Sequence, residues 1–291
     1  MHELELAYRA PFAFERALAF LRARAIPGVE QVHDGRFARS MRSPGGARLV
    51  IELEQGIVGA PRVLLRVIGE GLDASSVECA ERAARRLFDL DADPAVIDAA
   101  LARDPMLRAL VRAVPGTRVP GAIDGFELAV RAIVGQQVSV AGARTTLGRI
   151  AERFGDPLAS PVGPIVRMFP APERLAGAPS DAFGMPKVRA DAIKSVAEAV
   201  SSGSLDLSGD ADVEATACAL RSIRGIGDWT TGYIAMRALG DADAFPIGDL
   251  GVRRALTTLG VPDEDRSIRE RADRWRPWRA YAAMHLWDME N

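Results

Sequence analysis

Cysteine is nearly absent from this 291-residue chain. Only Cys79 and Cys218 occur, far apart and each inside an apolar helical pattern, so both read as reduced packing residues. A disulfide framework is not expected, and a four-cysteine iron–sulfur cluster is impossible. Lysine is equally scarce. Lys187 and Lys194 are the only two, arginine carries the remaining positive charge, and few side chains are available for amine chemistry. No run of about 18 apolar residues appears, which leaves no candidate membrane span. The start, Met1-His2-Glu3-Leu4-Glu5, lacks the basic and apolar segments of a secretory signal, so a cytoplasmic location without membrane contact is expected. Surplus positive charge is also missing. A net charge of −2 speaks against holding nucleic acid chiefly by a basic surface, although hairpin amides and helix N-termini bind phosphate without ionised side chains. No internal repeat or self-complementary seam is visible, and a monomer is expected.

What is present is ample apolar material, 48% of the chain, enough for two cores. The predicted fold class is α+β, with an antiparallel sheet domain over residues 1–92 and a helical region of two subdomains over 93–291. In the first part, Phe12 to Ala25 has helical periodicity and stops at Ile26-Pro27-Gly28. Short β-rich runs follow at Val29–Val32, Arg36–Met41, Ala47–Leu53 and Pro61–Ile68, separated by turns such as Ser43-Pro44-Gly45-Gly46, and a helix over Ala74–Leu87 closes the unit. After Asp93-Pro94 the β-rich runs end. Helices are predicted over 94–102, 105–114, 125–134, 139–154, 172–175, 179–183, 187–201, a pair within 213–238, 248–259, and one or two within 266–289. Gly155–Pro172 reads as a long connection rich in proline and glycine.

The pair within 213–238 carries the most pointed motif. Leu220-Arg221-Ser222-Ile223-Arg224-Gly225-Ile226-Gly227-Asp228-Trp229-Thr230-Thr231-Gly232-Tyr233 reads as helix, glycine hairpin, helix. Gly225 and Gly227 permit a turn with positive φ, Asp228 can cap the helix that Trp229 begins, and the amides at that helix start face outward as a phosphate-sized site. Such hairpins also occur as DNA-binding modules without chemistry and as simple packing turns. Phe245-Pro246-Ile247-Gly248-Asp249 then delivers a carboxylate at the start of the next helix. Asp249 reads either as that helix's N-cap or as an acid facing the groove anchored by the hairpin, and the two roles are compatible. Trp229 and Tyr233 lie one helical turn apart, and Trp275, Trp278 and Trp287 gather near the C-terminus. Each tryptophan is a core candidate, or one face of a cleft that receives an extruded base.

Several ordered motifs together resemble one family. Arg131-Ala132-Ile133-Val134-Gly135-Gln136-Gln137-Val138-Ser139-Val140, Phe183-Gly184-Met185-Pro186-Lys187 with Arg189, Arg224-Gly225-Ile226-Gly227-Asp228-Trp229-Thr230, and Arg276-Pro277-Trp278-Arg279-Ala280-Tyr281 with His285-Leu286-Trp287 are similar to the bacterial 3-methyladenine DNA glycosylase II (AlkA-type) family of helix-hairpin-helix glycosylases. Ala19-Phe20-Leu21-Arg22-Ala23-Arg24 and Phe37-Ala38-Arg39-Ser40 extend the likeness into the N-terminal part.

The resemblance implies a monofunctional DNA glycosylase that flips alkylated purines, such as 3-methyladenine and 7-methylguanine, out of double-stranded DNA and hydrolyses the N-glycosidic bond. It implies Asp249 as the catalytic carboxylate; Trp229, Tyr233, Trp287 and Phe20 as the base pocket; Gln137 as the wedge, where a relative has an apolar side chain; and amides near Gly225, Gly227 and Thr230 as the phosphate anchor. Gly248 replaces an acidic residue that precedes the catalytic one in some relatives. Carbonyls of Arg221, Ile223 and Ile226 match a structural Na+ or K+ site, and no other cofactor is implied. Relatives that also nick the strand carry a lysine where Trp229 stands, so no lyase step is expected. The implied location is cytoplasmic, at the nucleoid. A non-enzymatic hairpin protein, or a glycosylase for oxidised or deaminated bases, would share most of these residues.

Overall fold

The computed structural model describes residues 1–56 and 60–289, so the expected 93–291 region ends two residues beyond the described chain. β1 (His2–Ala7) and α1 (Phe14–Arg24) are followed by β2 (Glu30–His33), β3 (Arg36–Arg42), β4 (Arg48–Gln55), β5 (Arg62–Ile68) and α2 (Ala74–Leu87). The five strands form one antiparallel sheet in the order β1-β5-β4-β3-β2. Side-chain alternation sorts its faces: Leu49, Ile51 and Leu53 point from β4 toward Leu18, Leu21, Ala80, Ala84 and Leu87 of the two helices, while Val50 points the other way. β1 was not anticipated as a strand. It is an edge, mostly exposed, whose partner β5 lies far along the chain.

The helical region comprises α3 (Pro94–Leu101), α4 (Pro105–Ala113), α5 (Gly125–Gly135), α6 (Val140–Phe154), then β6 (Pro157–Val162) and β7 (Ile165–Arg167), α7 (Pro172–Ala176), α8 (Lys187–Ser201), α9 (Val213–Ser222), α10 (Asp228–Arg237), α11 (Leu250–Thr258), α12 (Asp265–Ala272) and α13 (Arg279–Asp288). α5 is its axis. Eight of its eleven residues are buried, from Phe126 to Val134, as expected for a helix that is apolar all round. The described residues of 94–289 pack mainly around it, with Ile193, Ile234, Leu256, Trp275 and Leu286 in the same core. Seven helices begin with a side-chain cap: Asp73, Asp93, Asp104, Asp124, Ser139, Asp212 and Asp249 each accept a backbone N–H of the first turn.

The expected connection over Gly155–Pro172 is instead the hairpin β6–β7. It lays Leu158, Ile165 and Met168 on Ala38 and Val50, covering the outer face of the five-stranded sheet. Ser40 Oγ donates to the Arg167 carbonyl (2.7 Å), and Val166 N–H to the Gly28 carbonyl (2.9 Å). These strands are short, irregular in register and stabilised from a distance, so their local composition reads as loop.

A buried ionic quartet joins the two regions. Arg39 Nη1 and Nη2 reach Glu30 (2.7 Å) and Glu127 (2.6 Å), and Arg131 Nη2 lies 2.6 Å from both carboxylates. Arg131 Nη1 also donates to the Arg24 carbonyl at the end of α1 (2.9 Å). Burial pushes Glu127 up, but the guanidinia of Arg39 and Arg131 outweigh it and hold this carboxylate below its ordinary value. Replacing Glu127 by Gln leaves Glu30 as the one carboxylate facing two buried guanidinia, so one buried positive charge goes uncompensated, and we expect a loss of about 3–5 kcal/mol in unfolding free energy by chemical denaturation.

Asp89 makes a second tie. Its Oδ2 accepts from Tyr281 Oη on α13 (2.8 Å) and from Val119 N–H (3.3 Å). Burial raises its pKa to about 6. Between the unfolded value near 4 and this folded value the native state binds more protons, so the carboxylate costs stability as pH rises and the cost is complete above pH 6. Asn tolerates the left-handed backbone here (φ +51) and keeps an acceptor for both donors. Asp89→Asn should therefore exceed wild type in stability at pH 8, by on the order of 3 kcal/mol, with the gap narrowing toward pH 4.5 in urea titrations.

Candidate active site

α9 ends at Ser222 and the chain turns through Gly225, whose φ of +95 and 3.3 Å clearance from Ala192 require glycine. α10 starts at Asp228 with Gly227 as its N-cap, and no side chain caps it. The expectation that Asp228 caps this helix is corrected: Asp228 is its first residue, and its carboxylate pairs with Arg221 Nε (3.0 Å) instead. The first-turn N–H groups around Gly227 and Thr230 are therefore left for an external acceptor, which a helix N-terminus favours as an anion.

Twenty residues on, Gly248 takes φ +88 and turns Asp249 toward the same helix. Asp249 Oδ1 accepts from Val252 N–H (3.0 Å) and Trp287 Nε1 (2.8 Å), while Oδ2 accepts from Trp229 Nε1 (2.9 Å). One carboxylate thus caps α11, as one of its two readings expected, and also binds two indoles.

The aromatic side chains form a continuous wall beside it. Trp229 stacks on Tyr233 (centroids 5.6 Å apart), Tyr233 meets Trp287 (6.2 Å), and Trp287 stacks on Phe20 (6.2 Å). Phe20 comes from α1, so the sheet domain supplies one end of the wall. Trp275 and Trp278 do not join it. Trp275 is fully buried and donates through Nε1 to Asp104 Oδ2 (2.7 Å), and Trp278 sits edge-on to Tyr281.

Two arginines beside this wall were missed by sequence reasoning. The Arg24 guanidinium lies 3.7 Å over Phe20, and that of Arg237 lies 4.8 Å from the same ring and donates to Tyr233 Oη (2.8 Å). Burial raises the Tyr233 phenol, but Arg237 and Arg24 outweigh it and bring the pKa below its ordinary value. The signal was available: Phe20 with Arg24, and Tyr233 with Arg237, are i,i+4 pairs on one helix face.

Gln137 is exposed at the α5–α6 junction with φ +56, a left-handed conformation uncommon for a side chain of its size. Its neighbour Gln136 turns inward to the hairpin. Among the described residues no group of three His, Cys, Asp or Glu is placed to hold a metal, and no helix is long and apolar enough to cross a membrane.

A glycine hairpin with uncapped first-turn amides, a carboxylate at the start of the following helix and a wall of aromatic side chains beside it make up the candidate site. Residues 130–280 match the HhH-GPD superfamily of base excision DNA repair proteins, and the chain belongs to that superfamily. Residues 3–124 match the AlkA N-terminal domain, which places the chain in the AlkA branch. It is 37% identical to DNA-3-methyladenine glycosylase 2 of Escherichia coli over 98% of this chain and 96% of that one. It is 42% identical to the probable bifunctional transcriptional activator/DNA repair enzyme AlkA of Mycobacterium tuberculosis over 98% of this chain, which spans only 56% of that protein's length. The solved structure of a 3-methyladenine DNA-glycosylase from Archaeoglobus fulgidus shares the fold, with a TM-score of 0.83 at 24% identity over 100% of this chain and 98% of that one.

The dual bonding of Asp249 gives a stability test independent of activity. Asp249→Asn keeps an oxygen for the α11 cap and loses only one indole bond, so it should cost about 1 kcal/mol or less in thermal denaturation. Asp249→Ala removes the cap and leaves both indole N–H groups unpaired, and should cost about 2–3 kcal/mol.

Proposed function

We propose that this protein is a monofunctional DNA glycosylase that removes alkylated purines, 3-methyladenine and 7-methylguanine among them, from double-stranded DNA by base flipping and hydrolysis of the N-glycosidic bond. The reading is carried by Asp249, a carboxylate held by two indole donors at the edge of an aromatic cleft. A flipped purine stacks against Trp229, Tyr233, Trp287 and Phe20, which places its anomeric carbon near Asp249. As the bond to a cationic base lengthens, positive charge develops on the sugar. A fixed anion in a cleft poor in water stabilises that charge without reorganising, and can orient the attacking water.

The hairpin amides around Gly225, Gly227 and Thr230 hold one backbone phosphate, and Gln137 fills the space that the flipped nucleotide leaves. The turn also fits a monovalent cation at the carbonyls of Arg221, Ile223 and Ile226: the Ile223 oxygen closes the turn by accepting from Ile226 N–H (3.1 Å) and retains a second lone pair. Held there by the three carbonyls, such an ion would supply positive charge next to the phosphate. The protein acts as a monomer on DNA at the nucleoid.

Asp249→Asn should bind duplex DNA within about 3-fold of wild type yet lose about 10²-fold or more in single-turnover release of labelled bases from alkylated DNA. Excision by that variant at near wild-type rate would remove Asp249 from the mechanism. With tryptophan at the hairpin position and no lysine there, borohydride should trap no covalent protein–DNA adduct.

A further inference from the structure

The α5–α6 junction and the hairpin are joined by one side chain that no role above uses. Gln136 Nε2 donates to the Gly225 carbonyl (2.9 Å) and to Thr230 Oγ1 (2.9 Å). A carbonyl can only accept, so the amide nitrogen must face Gly225, and both of its hydrogens are then committed to opposite sides of the hairpin turn. The Gln136 backbone is gripped as well. Arg189 Nη1, from the start of α8, donates to the Gln136 carbonyl (3.0 Å) and the Val134 carbonyl (3.4 Å), and Gln136 N–H donates to Ile133 (3.3 Å).

Gln137, the next residue, projects outward in its left-handed conformation. α5 and α10 pack through their apolar faces, and Arg189 ties the junction backbone to α8, but neither contact reaches the hairpin turn itself. The Gln136 amide is the polar bridge from that junction to the turn whose amides face outward.

We propose that Gln136 is a positioning residue that sets the reach of Gln137 relative to the phosphate-anchoring hairpin, so that gripping the backbone and penetrating the duplex occur in one register. The inference rests on the proposed glycosylase function. Without the bridge, the hairpin still binds phosphate and Asp249 is untouched, but the wedge arrives out of place and the base stays stacked. Gly225 is exposed, so water can satisfy its carbonyl after substitution, while the buried Thr230 hydroxyl loses its Gln136 donor at a cost small beside the stability of the core.

The test uses Gln136→Leu and Gln136→Met, each alone and combined with Gln137→Ala, in the full chain. Three quantities are read: anisotropy binding to undamaged duplex, fluorescence of 2-aminopurine placed beside an alkylated purine as a report of extrusion, and single-turnover base release. In the single variants, undamaged-duplex binding should stay within about 3-fold, while extrusion and release fall 10-fold or more, the scale of a misplaced positioning group. In the Gln137→Ala background, changing Gln136 should add less than about 2-fold, because the residue acts through Gln137. Wild-type extrusion in Gln136→Leu, an undiminished effect in the Gln137→Ala background, or a loss of undamaged-duplex binding equal to the loss of release would each overturn the proposal. If the wild-type protein releases no alkylated base, the proposed function falls, and the 2-aminopurine comparison alone decides the role of Gln136.

Discussion

The sheet domain and the central helix are joined by two pairs of opposite charges buried between them. Arg39 and Glu30 come from β-strands, Glu127 and Arg131 from α5, and Arg131 also holds the carbonyl at the end of α1. Such quartets contribute little net stability compared with apolar packing, since four charged groups lose their water. Their value lies in orientation. Guanidinium and carboxylate forks match in only a few arrangements, so the quartet fixes the angle at which α1 meets α5. Phe20, one turn back from Arg24, is thereby placed against Trp287 of a helix from the far end of the chain.

In the proposed mechanism, labour is divided between groups that hold DNA and groups that act on the sugar. Charge is used sparingly in the first task. The amides at the start of α10 lack a capping side chain, whereas seven other helices are capped, so donors here remain free without cationic excess. That matches a chain with net charge −2. In the second task the anion is kept in place by indoles and a backbone amide, none of which carries a charge that would cancel its field at the sugar.

Much of this was legible in the sequence because it is local. The glycine hairpin, the cap at Asp249, the apolar run of α5 and the Asp-Pro helix starts each depend on neighbours within a few residues. Features made by distant partners were not. β1 pairs with β5, β6–β7 are strands only because Ser40 and Gly28 bond to them, and Gln136 shows its role only when Gly225 folds back on it. The arginines at Phe20 and Tyr233 fall between these cases: the spacing was readable, but which faces meet in the cleft was not. Asp228 was misread because an acid before a helix usually caps it, and here the chain enters the helix one residue earlier.

The β6–β7 hairpin has a consequence for how the molecule is made. Chain order is also order of emergence from the ribosome, and N-terminal units generally fold first. The five-stranded sheet is complete once β5 is out, yet the residues that cover its outer face, Leu158, Ile165 and Met168, emerge only after α6. Until then Ala38, Val50 and Ile68 form an apolar face open to other nascent chains and to chaperones. The sheet domain is therefore not a unit that evolution or an engineer can cut out at its own last helix. Its covering comes from the helical half of the chain.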